Sequence, residues 1–170
     1  AMGCGGGGDD GPQPGDPDAM VGQDTPDAAP LAPGWSQLIR SDFTRPPGEG
    51  YYCQRLTVTE DLYIQEFRAV APEGIHHTVL TVEDNPTQPD GGSNCSAGAN
   101  AEHMIFGSGV GEGEMKFPEG VGMHVKAGQQ LLLNLHLFNT SDTTITGTAG
   151  TDIKIIPAAE LVHKAEAILM

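Results

Sequence analysis

From residue 51 onward the chain is a succession of short apolar runs, each closed by glycine, proline, aspartate or asparagine, and this punctuation leaves little room for long helices. YYCQRLTV (51–58), LYIQEFRAV (62–70) and GIHHTVLTV (74–82) follow one another across brief polar breaks. Leu62 and Ile64 alternate with Tyr63 and Gln65, the two-residue period of a half-buried strand. A segment rich in Asp, Pro, Gly, Ser and Asn, residues 83–100, reads as a loop. Strand signals return at HMIFG (103–107), GMHVKA (122–127) and QLLLNLHLF (130–138), and then at TTITGT (143–148) and DIKII (152–156). Glycines in GSGVGEGE (107–114) read as a turn, because the segment is acidic and lacks the lysine of a phosphate loop. With 24 Gly and 13 Pro in 170 residues, the expected fold is all-β, an antiparallel sandwich over residues 48 to 156. The tail LVHKAEAILM (161–170) has a helix-forming composition, but a sandwich needs a closing strand, so strand is expected there.

Residues 1–33 differ from the rest: they hold Gly5 to Gly8 in a row, six Asp and six Pro, and no Lys or Arg. Such a stretch cannot bury enough apolar area to offset its ordering entropy, so it is expected to be a disordered, flexible linker ahead of a domain spanning 34–170. Ala1-Met2-Gly3 looks like an expression-vector remnant, which makes Cys4 the first native residue. A cysteine followed by a Gly/Asp/Pro-rich tether resembles a bacterial lipoprotein after signal-peptide cleavage. That resemblance implies lipidation at Cys4, a place at the cell envelope, and membrane contact only through the lipid. An ordinary disordered tail with a stray cysteine is the alternative. No run reaches the roughly 18 apolar residues of a transmembrane helix. The net charge of −15 argues against nucleic acid and against simple electrostatic adhesion to anionic lipid.

In an exported protein the two remaining cysteines, Cys53 and Cys95, are expected to pair, closing a loop of about forty residues. Two free thiols or a thiolate metal ligand are the alternatives; no CxxC spacing supports a zinc knuckle.

The chemistry concentrates in histidine. His76 and His77 are adjacent inside one strand-like run and His136 sits inside another. Imidazole is the commonest side-chain metal ligand and suits copper, zinc, iron and nickel. In a regular strand, neighbouring side chains face opposite sides, so both rings reach one ion only at an edge or where the backbone bends. His103, His124 and His163 are isolated and read as packing or surface residues, and Met104 and Met115 as gap-filling ones.

The order EGYYCQRLTV, LYIQEFRAV, GIHHTVL, then FPEGVGMHVKAGQQLLLNLHLFN resembles the N-terminal domain of the copper type II, ascorbate-dependent monooxygenases. That family includes peptidylglycine α-hydroxylating monooxygenase and dopamine β-monooxygenase. The resemblance covers residues 48 to 170 and rests on the paired histidines and on Pro118, Gly120 and Gly122 leading to a strand with one central histidine. It implies a jelly-roll sandwich in which His76, His77 and His136 hold one electron-shuttling copper. The family's second domain, with its His-x-His pair and methionine, has no counterpart here, since the sequence contains no His-x-His. The expectation is therefore a copper-binding protein for electron transfer or copper handling. The alternatives are one half of a monooxygenase whose oxygen-activating partner is another chain, and a sandwich scaffold with adventitious metal.

Overall fold

The computed structural model describes residues 31–101, 103–110 and 113–166. The expectations for 1–30, the linker and Cys4 among them, and for 167–170 lie outside the described residues.

Eleven strands occur in the described chain: β1 (Ser36–Arg45), β2 (Gly48–Thr57), β3 (Leu62–Val70), β4 (Ile75–Glu83), β5 (Gly91–Asn94), β6 (His103–Ser108), β7 (Glu114–Lys116), β8 (Val121–Val125), β9 (Gln130–Asn139), β10 (Ile145–Ile155) and β11 (His163–Ala165). They form two sheets. One runs β1-β10-β3-β8-β11, with β7 also on β3; the other runs β5-β2-β9-β4-β6. The fold is an all-β sandwich, as its strand runs and turn residues led us to expect.

Three strands escaped the sequence reading: β1, β5 and β7. In β1 a register irregularity between Gln37 and Ile39 breaks the alternation, so the adjacent Leu38 and Ile39 are both buried. β5, the polar stretch Gly91–Asn94, lies in what reads as a loop and, among the described residues, is paired only with β2. The two runs at 143–148 and 152–156 are one strand, β10. Its glycines mark close packing, not a break: a Cβ on Gly150 would collide with the Ile39 carbonyl, and one on Gly147 would meet the Phe43 ring at 2.9 Å.

The C-terminal expectation needs correction. The described part of the tail, residues 161–166, does not form one continuous antiparallel strand. A 3₁₀ turn at Ala158–Glu160 redirects the chain, the backbone N–H groups of Val162 and His163 both donate to the Gly120 carbonyl, and of the described tail residues only His163–Ala165 pairs. That pairing, with β8, is parallel, so the first sheet is mixed rather than purely antiparallel.

Between the sheets lies one core. Leu131, Leu133, Leu135 and Leu137 of β9 meet Ile64, Phe67, Val125 and Ile153 of the other sheet, and Phe67 stacks on Phe106 at 5.3 Å. Alternate residues of β9 point the other way: Gln130, Leu132, Asn134 and His136 face outward yet remain buried. Loop 84–100 covers part of that outer face. Asn134 donates to the carbonyls of Ser96 and Ala99, and Gln130 donates to the Gln88 carbonyl and to Asp90. The Cys53–Cys95 disulfide, with Cα atoms 5.8 Å apart, fastens this loop to β2. The pairing of Cys53 with Cys95 is thus as expected. His136 lies just beyond the covered stretch.

Candidate metal centre

Backbone register brings the three histidines together. Tyr51 of β2 and His77 of β4 are the cross-strand partners of His136 on the central strand β9. Side chains of directly opposed residues share a face, so Tyr51, His136 and His77 form a row on the outer surface of the sheet.

His76 joins them because β4 carries an extra residue. Ile75 is opposite Leu137 and His77 is opposite His136, so one residue, His76, is inserted between consecutive partners. Ile75, Leu80 and Val82 therefore all reach the core, while His76 and His77 both turn to the outer face. A regular strand would have sent one of the two rings into the core. This β-bulge is the bend that the adjacent histidines require.

The ring nitrogens converge. Nδ1 of His77 is 3.2 Å from Nδ1 of His76 and 3.2 Å from Nδ1 of His136. The candidate donor atoms of the three all lie within 4.8 Å of one another, and this is the only such His/Cys/Asp/Glu group among the described residues. For a bond length of about 2.0–2.1 Å, neighbouring ligands on a tetrahedral ion stand about 3.3 Å apart. Two of the three spacings thus match a shared ion without rearrangement. The His76 ring is the exposed one and is the easiest to turn toward the other two.

Tautomers sharpen the reading. His136 Nε2 is 2.7 Å from Glu49 Oε1, so this nitrogen carries the proton and donates to the carboxylate. In the neutral ring, Nδ1 is then a bare lone pair, aimed at His77 Nδ1. A proton on His77 Nδ1 can satisfy one of its two neighbours well, but not both. A cation at the meeting point satisfies all three. Tyr51 stacks on the His136 ring at 4.5 Å with planes 5° apart, and its hydroxyl donates to Glu49 Oε1 at 3.3 Å.

Burial grades across the site: His136 is buried, His77 half-buried and His76 exposed. Burial pushes the His77 imidazole below its ordinary value, and the neighbouring His136 and His76 push the same way. The ring is therefore held neutral, as a ligand must be. The hydrogen bond from His136 holds the Glu49 carboxyl below the usual carboxylate range, with help from Tyr51. Beside the site lies a cleft of about 360 Å³ whose walls include Pro72, Ile75, His76, Val110 and Phe138. Val110 and Phe138 are both exposed, and the His76 ring sits edge-on to Phe138 at 6.2 Å.

The remaining histidines are elsewhere. His124 accepts from Lys164 Nζ at 3.0 Å, donates to Asp61 at 3.2 Å and stacks on Tyr63 at 4.5 Å, which accounts for both its nitrogens. His103 lies 4.0 Å from Asp84, and His163 opens β11 on the surface. Met123 belongs to the core, while Met115 packs partly buried against it. Glu49 and Tyr51 were not singled out in the sequence. They stand two apart on one face of β2, a pattern that becomes informative only once β2 is registered against β9.

No protein-family model matches the chain, and no curated protein is significantly similar to it in sequence.

Proposed function

We propose that His76, His77 and His136 hold a single copper ion, and that the protein moves electrons or copper at the cell envelope. The observation that carries this reading is the bulge-assisted convergence of three Nδ1 atoms. Three neutral imidazoles, with no thiolate or carboxylate in the set, serve both Cu(I) and Cu(II), because loss of one electron then demands no exchange of ligands. Copper held there supplies a one-electron couple. The chain's own part is to keep His77 neutral, to hold His136 in one tautomer through Glu49 and Tyr51, and to leave the His76 edge open to a donor or acceptor. A one-electron reductant of small size or a redox protein supplies the electron, and a partner takes it up.

The disulfide supports an oxidising compartment. No helix among the described residues is long and apolar enough to cross a membrane. Attachment through a lipid on Cys4 and the jelly-roll connectivity of the copper monooxygenase domain belong to this proposal as well. In a second reading, the domain is the electron-storing half of a monooxygenase whose oxygen-activating half is another chain. The uncovered Val110 and Phe138 beside His76 favour it, since a partner seated there would lie against the exposed ligand.

The test is copper loading of untagged protein, followed by repeated reduction with ascorbate and reoxidation by a one-electron acceptor. One copper per chain, retained through successive cycles and lost in His77→Ala and His136→Ala, supports the reading. Failure to retain copper, or equal retention by the alanine variants, overturns it.

A further inference from the structure

The three ligands are not equivalent. Only His136 has a carboxylate behind it: Glu49 Oε1 accepts from Nε2–H at 2.7 Å, whereas His76 and His77 have no such partner among the described residues. The carboxylate is itself held. Arg45 donates to the backbone carbonyls of Gly48 and Glu49, and the Tyr51 hydroxyl donates to the same Oε1 that receives His136. Gly50 leaves the space in which the Arg45 guanidinium lies, since a Cβ there would sit 2.8 Å from its Cζ. Tyr51 also lies flat on the ring. Rotation, tautomer and donor strength of His136 are thus set from one short stretch of β2.

We infer that Glu49 is a positioning residue that biases the metal site toward the higher-charged ion, Cu(II) over Cu(I). This rests on the copper reading above. Two effects act in the same direction. Holding the proton on Nε2 presents the Nδ1 lone pair and makes the ring a stronger donor. The negative charge across the ring stabilises each added positive charge on the metal, so it favours Cu(II) more than Cu(I). Glu49 is 56% exposed, so solvent screens the second effect, and the first does most of the tuning. A site that is firm for Cu(II) at His136 and open at His76 holds its metal when oxidised and meets partners through the other edge.

Two variants separate the contributions. Glu49→Gln keeps an acceptor oxygen and removes the charge; Glu49→Ala removes both. Cu(I) and Cu(II) affinities are measured separately, each by competition with a chelator specific for that oxidation state. The expected result for Glu49→Ala is a loss of at least about tenfold in Cu(II) affinity with a smaller loss for Cu(I), and Glu49→Gln, which keeps the acceptor, is expected to lose less Cu(II) affinity than Glu49→Ala. A tenfold difference between the two losses raises the midpoint potential by about 59 mV. In metal-free protein, nitrogen-15 spectra are expected to show His136 as the Nε2–H tautomer in wild type and Glu49→Gln, and as a tautomer mixture in Glu49→Ala. Equal losses for both ions, or an unchanged tautomer in Glu49→Ala, overturn the inference while leaving the copper site standing. Absence of copper binding by the wild type overturns the reading beneath it, whereas the tautomer measurement still decides the role of Glu49.

Discussion

Removing one of the two adjacent histidines tests the bulge directly. Deleting His76 or deleting His77 creates the same chain, with a single histidine between Ile75 and Thr78. If His76 is the inserted residue, the shortened β4 becomes a regular strand. Ile75 stays opposite Leu137, the one histidine stays opposite His136, and Thr78 to Glu83 keep all their partners. Leu80, at 0% exposure, and Val82, at 5%, remain in the core. The expected cost in the metal-free protein is within about 1 kcal/mol, that of a surface change. Had β4 been regular instead, the deletion would turn one side of it over. Either Ile75 would leave the core, costing about 1.5–3 kcal/mol, or Leu80 and Val82 would leave together, at about twice that. Urea unfolding of metal-free wild type and deletion protein separates the two cases. Copper binding is measured alongside and is expected to fall at least about tenfold, or 1.4 kcal/mol, through loss of one ligand. Destabilisation above about 1.5 kcal/mol, or full retention of copper affinity, refutes the reasoning.

Other expectations follow from the same structure. Replacing Cys53 and Cys95 with alanine releases a link across 42 residues, worth about 4 kcal/mol by chain entropy, and is expected to lower the calorimetric midpoint by roughly 10–15 °C; a change under about 3 °C would show that loop 84–100 is held by its hydrogen bonds alone. Asp152, at 1% side-chain exposure, pairs with Arg40 and Arg68, so Asp152→Ala is expected to cost about 3 kcal/mol in urea unfolding, and a loss below about 1 kcal/mol contradicts the pairing. His77 is held below its ordinary 6.5, so the unfolded chain takes up that proton first. Metal-free stability is therefore full above pH 6.5 and declines as pH falls through the lower folded value, and His77→Ala is expected to flatten that decline. Glu49, Asp61, Glu66 and Asp90 are all held below their ordinary values by hydrogen bonds, so a second loss follows near and below those values, as their carboxylates protonate.

The sandwich and the identity of the triad were legible because they are written in residue type. LYIQEFRAV shows its period openly, and β3 spans those nine residues. Paired histidines in a β run announce a bend by being hard to place otherwise. What stayed hidden depends on register. Glu49 and Tyr51 become neighbours of His136 only through the β2–β9 ladder, which nothing local in EGYY specifies. β1 was masked by its irregularity, and β5 by a composition that only the disulfide and the β2 ladder make into a strand. β10 seemed broken because glycine reads as punctuation, when here it admits Ile39 and Phe43 at close range. The tail failed for a related reason: a closing strand was needed, but the 3₁₀ turn delivers it parallel and short.

The central claim is that three Nδ1 atoms share one ion, and nitrogen-15 spectra of the histidine rings during titration with Cu(I) test it most directly. Up to one equivalent, the Nδ1 signals of His76, His77 and His136 are expected to move together while their Nε2 signals and the rings of His103, His124 and His163 stay in place. Shifts confined to His103, His124 or His163, movement at Nε2 of His136 in place of Nδ1, or no saturable change at one equivalent would contradict the account.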